Sequence, residues 1–130
     1  MSEAQAVLDA SAVLALLQDE PASEVVAALL PGAIISAVNL SEVVAKLVDA
    51  GMPDEAVRAV LGGLSIDVRP FDEAAAFEAG ALRRRIRHAG LSLGDRACLA
   101  LAKRLGLRAV TADRAWAACA DGIAEVVVLR

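Results

Sequence analysis

Short runs rich in valine and isoleucine recur at residues 6–8, 33–35, 65–68, 108–111 and 125–129, and helical text fills most of the intervals between them. No other feature narrows the possible folds as far. The runs are mostly apolar rather than alternating, as in strands covered on both faces, and helices between such strands imply a parallel sheet. The helical segments (12–18, 23–30, 40–50, 54–61, 72–89, 94–105, 114–118) space their apolar residues by three and four. In the longest, 72–89, one stripe holds Ala75, Ala79, Leu82, Ile86 and Ala89. Gly51, the pair Gly62-Gly63, Gly90 and Gly106 stand where helices should end. The chain has 130 residues and no linker, repeat or low-complexity stretch. The expectation is one domain, residues 1–130, of the α/β class: a central, mostly parallel sheet of four to five strands flanked by helices.

Composition then removes several classes. Hydrophobic residues make up 58% and charged residues 23%, which excludes a disordered chain. The longest uncharged stretch, residues 25–41, contains Pro31, Gly32 and Asn39. It reads as two elements and a turn rather than a membrane span of about 20 apolar residues. Met1-Ser2-Glu3 places no basic residue before an apolar block, so a secretory signal is not expected. A soluble, cytoplasmic protein with no membrane partner is the expectation. Cys98 and Cys119 read as buried small apolar residues, too few for a disulfide scaffold or a four-cysteine zinc site. Aromatics are 2% and tyrosine is absent, which argues against a reader that stacks bases on rings.

The net charge of −4 hides an asymmetry. Residues 1–82 carry thirteen acids and three bases, whereas residues 83–130 carry ten bases and four acids. A folded chain of this kind can present an acidic site and a separate basic surface.

In open parallel sheets the functional crevice lies outside the carboxyl ends of the strands. Four acids fall there or in the first turn of a helix: Asp9 in Leu8-Asp9-Ala10-Ser11, Glu42 in Asn39-Leu40-Ser41-Glu42, Asp95 in Leu91-Ser92-Leu93-Gly94-Asp95 and Asp113 in Thr111-Ala112-Asp113. Each has a bland explanation. Asp9 and Asp113 could cap helices, and Asn39 with Glu42, or Ser92 with Asp95, fits a capping box. Taken together they are harder to dismiss, because two carboxylates about 4 Å apart repel by about 4 kcal/mol at an effective dielectric of ~20. A divalent cation offsets that repulsion. A ligand set of oxygens without His or Cys favours Mg²⁺ or Mn²⁺ over zinc. Such an ion can activate water for phosphodiester cleavage, and a two-histidine mechanism is closed to a chain whose one histidine is His88.

In the order and spacing of these motifs, across essentially its whole length, the chain resembles the PIN-domain nucleases. In particular it resembles the small, single-domain VapC-type toxins of bacterial toxin–antitoxin pairs. The resemblance implies a three-layer PIN-like sandwich and an acidic metal-binding quartet of Asp9, Glu42, Asp95 and Asp113. Ser11 and Thr111 would be hydroxyls supporting that site. It further implies Mg²⁺- or Mn²⁺-dependent cleavage of RNA, a homodimer and a cognate antitoxin. The high apolar content independently favours a partner surface, with the surplus expected on helices 23–30 and 40–50.

Arg83, Arg84 and Arg87 share a helix face opposite Leu82 and Ile86, just before the loop carrying Asp95. They read either as a solvated helix end or as contacts to RNA phosphates beside the acids. Arg96 could touch substrate or pair with an acid. His88 reads as a surface residue, Trp116 as core or dimer surface, and Lys46 and Lys103 as exposed. The competing function is a PIN-like domain that binds RNA or protein without cutting. A phospho-receiver would need adjacent acids after the first strand and a lysine after the last. An aspartyl phosphatase would need an acid where Ser11 stands, and nucleotide-binding glycine signatures are absent.

Overall fold

A computed structural model of the chain describes residues 4–86, 90–116 and 120–129. Five strands are formed: β1 (Ala6–Leu8), β2 (Ala33–Ser36), β3 (Asp67–Arg69), β4 (Arg108–Thr111) and β5 (Val126–Val128). They pair in parallel in the order β3-β2-β1-β4-β5. Around them lie α1 (Ala10–Leu17), α2 (Ser23–Leu29), α3 (Ala37–Asp49), α4 (Asp54–Gly63), α5 (Glu73–Ala81), α6 (Arg83–Ile86) and α7 (Leu93–Leu105). No described helix is long and apolar enough to cross a membrane.

Alternation along the central strands builds the three layers. Leu8, Ile35 and Val110 face one way and join Val13, Val26, Val43 and Val57 in one core. Their neighbours Val7, Ile34 and Ala109 face the other way, against Ala79, Leu82, Ile86, Leu99 and Trp116. Successive side chains of a strand point to opposite faces, so apolar residues at every position demand helices on both. The two edge strands differ from expectation: Asp67 and Val68 of β3 are exposed and β5 is only half-buried.

Other boundaries move for local reasons. The expected helix 72–89 breaks at Leu82 into α5 and α6, with residues 87–89 outside the described part. Its stripe still faces inward, with Ala79, Leu82 and Ile86 all buried. Gly80, which lowers helix propensity by about 1 kcal/mol relative to alanine, weakens the helix just before that point. Gly62 and Gly63 do not stop α4. It runs through both, and Ser65 takes the left-handed conformation instead (φ 54°), which delays β3 to Asp67. Helix α3 starts at Ala37, capped by Ser36, whose Oγ accepts from the Val38 amide at 3.2 Å. Asn39 is therefore inside the helix and cannot be its cap, which overturns the Asn39–Glu42 capping box.

Candidate active site at the carboxyl edge of the sheet

Register brings the site together. Leu8 pairs with Ile35 on one side and Val110 on the other, so β1, β2 and β4 end level. The next residues, Asp9, Ser36 and Thr111, share one edge. Between β1 and β4 the strand order reverses, and the crevice of an open parallel sheet lies at such a point. A cleft of about 230 Å³ opens there. Its walls include Asp9, Ser11, Asn39, Glu42, Lys46, Asp95 and Asp113.

Asp9 is the most constrained of the acids, 5% exposed at the N-cap of α1. One oxygen accepts from the Ser11 hydroxyl at 2.7 Å and the Ala12 amide at 2.9 Å, and the other from Thr111 Oγ1 at 2.5 Å. Burial pushes its pKa up from 3.8 to about 6, the Thr111, Ser11 and Ala12 hydrogen bonds oppose the rise, and the charge of Asp95 adds to it. Ser11 also accepts from the Ala112 amide at 2.8 Å, and Thr111 from the Asp113 amide at 3.0 Å. The two hydroxyls thus tie the ends of β1 and β4 around one carboxylate.

The remaining acids each serve local structure and also line the cleft. Asp95 closes a capping box with Ser92 at the start of α7. The Asp113 carboxylate accepts from the Ala115 amide at 2.9 Å. Each of these bonds engages one oxygen of its carboxylate. Glu42 accepts from Asn39 Nδ2 at 3.0 Å. Partial burial raises the Glu42 pKa, the Asn39 bond opposes this, and Asp95 adds to it.

Two contributors escape a reading of the sequence. Asn39, 1% exposed, donates through Nδ2 to both Glu42 and the Gly94 carbonyl (3.0 Å each), tying α3 to the first turn of α7. Its Oδ1 is buried without a hydrogen-bond partner among the described residues. Gly94 lies against the Glu42 carboxylate, which would overlap any Cβ built there. A glycine in a first helical turn, where it weakens the helix, was the available signal.

The basic residues fall elsewhere. Arg83, Arg84 and Arg96 do not line the cleft. Arg96 donates from Nη1 to the Ala79 carbonyl at 3.2 Å, joining α7 to α5. Arg87, His88 and Cys119 lie outside the described residues. Lys46, one turn beyond Glu42, does reach the cleft wall. Trp116 and Cys98 are fully buried, and burial together with Asp9, Asp95 and Glu42 pushes the Cys98 thiol well above its ordinary pKa.

The donors suit a hard cation in kind: carboxylate oxygens, hydroxyls and the orphaned amide oxygen of Asn39. Among the described residues, no three Asp, Glu, His or Cys side chains are grouped closely enough to hold a metal ion as they stand. A shared ion would require the carboxylates to draw in from the walls.

Fold and cleft together define a three-layer α/β domain with an acidic crevice at its switch point. The sequence model of the PIN domain family matches residues 6–122, and the chain belongs to that family. No curated protein sequence matches it. Among solved structures, a chain of the DNA-bound VapBC complex from Salmonella typhimurium is similar at TM-score 0.74 and 19% identity, covering 96% of this chain and 98% of that one. A toxin-antitoxin complex from Klebsiella pneumoniae gives 0.73 at 21% identity, with 95% and 97% covered. VapC20 of Mycobacterium tuberculosis, described as a Sarcin-Ricin loop cleaving toxin, gives 0.72 at 21%, with 94% and 98% covered. The fold is that of VapBC-type PIN proteins.

Proposed function

We propose that this chain is a Mg²⁺- or Mn²⁺-dependent endoribonuclease, the cytoplasmic toxin of a toxin–antitoxin pair. The observation that carries the reading is the assembly of four carboxylates, from four separate segments, at the switch point of a parallel sheet. One of them, Asp9, is buried at a cost that its raised pKa records. Asp9, Glu42, Asp95 and Asp113 would hold the cation. When bound, the cation supplies Lewis-acid activation of water and of the scissile phosphate. The chain's own part is positioning. Ser11 and Thr111 fix the Asp9 carboxylate, Asn39 aims Glu42, and the capping box aims Asp95. A carboxylate not engaged by the cation can take the proton of the attacking water. The shared fold of toxin–antitoxin proteins supports a protein antitoxin as partner. A homodimer as the working form belongs to the same proposal and rests on the apolar surplus of the chain.

The experiment is cleavage of a labelled single-stranded RNA by purified protein with Mg²⁺, Mn²⁺ or EDTA, alongside Asp95→Asn. Cleavage that stops in EDTA and in the variant is expected. Undiminished cutting in excess EDTA removes the carboxylate–cation mechanism. RNA bound but never cut, with either metal, returns the chain to the non-catalytic reading.

A further inference from the structure

A second cavity, about 480 Å³, opens between α5, α6 and α7. Ala81, Leu82 and Ala100 contribute apolar surface, and Arg84, Arg85, Lys103 and Arg104 bring cations to it. Glu78 is the one acid among the described lining residues, and Arg104 occupies it through Nε at 2.8 Å and Nη2 at 2.6 Å. Arg84, Arg85 and Lys103 have no ion-pair partner among the described residues. Three positive charges are thus left in excess around one hollow, mirroring the carboxylates of the acidic cleft.

Arg84, Arg85 and Lys103 are themselves exposed, and what sets them apart from a lone arginine run is that they come from two elements. Bases from α6 and from α7, far apart in sequence, converge on a hollow of the size that takes a small organic unit. We propose that this cavity is a subsite for one nucleotide unit of the RNA chain. The phosphate lies on Arg84, Arg85 and Lys103, and the ribose and base face lie on the apolar surface. The proposal rests on the ribonuclease reading and extends it to where the strand runs. Lys103 is eight residues beyond Asp95 on α7, about 12 Å along the helix axis. That is roughly three to four nucleotides from the cleft at ~3.4 Å per stacked nucleotide.

The test separates binding from cutting. Asp95→Asn protein in EDTA is titrated with labelled single-stranded RNAs of two and of ten nucleotides over a range of salt. The triple variant Arg84→Ala, Arg85→Ala, Lys103→Ala, made in that background, should bind the longer RNA at least 10-fold more weakly at low salt. Its salt slope should fall by about 0.7, the contribution of the one phosphate held in the cavity. The two-nucleotide RNA reaches one site at a time, so it should bind the parent protein far more weakly than the ten-nucleotide RNA does. A matched control, Arg58→Ala, Arg69→Ala, Arg108→Ala, should leave the slope nearly unchanged. Arg84→Lys, Arg85→Lys and Lys103→Arg should keep most of the affinity, which separates charge from misfolding. Equal losses in the triple variant and the control would reduce the effect to overall charge and overturn the proposal. So would an unchanged slope in the triple variant, or tight binding of a free nucleoside monophosphate that does not displace RNA. Light scattering on the same samples checks that no variant changes oligomeric state; a change that tracks the affinity loss would assign the cavity to a second copy and overturn the proposal. Because cutting plays no part in the measurement, loss of the nuclease reading would leave this result standing, and loss of the subsite would leave the nuclease reading intact.

Discussion

Asp9 shows how one side chain can be both structural and costly. It caps α1 and gathers three donors, yet its pKa rises to about 6 because burial outweighs them. An acid whose folded pKa exceeds its unfolded value stabilises the fold below pH 3.8, and this contribution is lost as pH rises through about 6. At about 1.36 kcal/mol per pKa unit the loss reaches about 3 kcal/mol by pH 7. Asp9→Asn should therefore match the wild type near pH 4 and exceed its metal-free stability by about 1–3 kcal/mol at pH 7, measured by urea denaturation in EDTA. A difference that does not grow between those pH values would contradict the burial argument. Adding Mg²⁺ should raise the melting temperature of the wild type and not that of the variant. Gly94 carries a second residue-scale prediction. Gly94→Ala must displace the Glu42 carboxylate, so cleavage should fall on the order of 10–100-fold while the circular dichroism spectrum is kept. Normal turnover would show that Glu42 need not sit where α7 holds it.

Among the elements, those whose sequence and surroundings agree were legible to the residue. Strands β1 and β4 fall at 6–8 and 108–111 as their apolar runs indicate, since both are central and buried on two faces. Elements at the edge were legible only roughly. The end of α4 depends on which residue turns left-handed, and Ser65 does so although two glycines precede it. The start of α3 depends on Ser36, which ends β2 and caps the helix at once. Gly80 in α5 has open space around a built Cβ and an ordinary backbone conformation. Gly80→Ala should stabilise the protein by about 1 kcal/mol, seen as a higher urea midpoint with unchanged slope. Destabilisation instead would mean that the break between α5 and α6 is required by packing rather than caused by weak propensity.

For the whole molecule, the surplus of apolar residues is visible on its surface. Val25 and Val48, on the two helices where it was expected, are 50% and 46% exposed. The largest exposed apolar side chain is on a third helix. Phe77 of α5 is 74% exposed, with Ala74, Ala76, Gly80 and Ala81 also exposed on that helix. An aromatic ring among small residues is a natural anchor for a second copy, because the small neighbours let another helix approach closely. Light scattering at micromolar concentration should give a dimer mass for the wild type and a monomer mass for Phe77→Glu. A wild type of 13.4 kDa in solution would remove the homodimer.

The alternation of apolar runs with helical stripes determined the α/β class and the parallel sheet. It did so because burial on both faces leaves a strand no polar positions and a helix one stripe. Sequence position alone also brought Asp9, Glu42, Asp95 and Asp113 forward, as acids expected after a strand or in the first turn of a helix; Glu42 falls in the second turn, because α3 begins at Ala37. What only the tertiary structure decided is which groups surround them. Asn39 reads locally as a cap and turns out to bridge α3 and α7, while the arginine run, adjacent in sequence to the Asp95 loop, lines a different cavity through Arg84 and Arg85. The reason is physical. Caps and strand ends are set by bonds between residues three or four apart, whereas the direction in which a surface side chain finally points depends on elements that the chain meets only after it has folded back on itself.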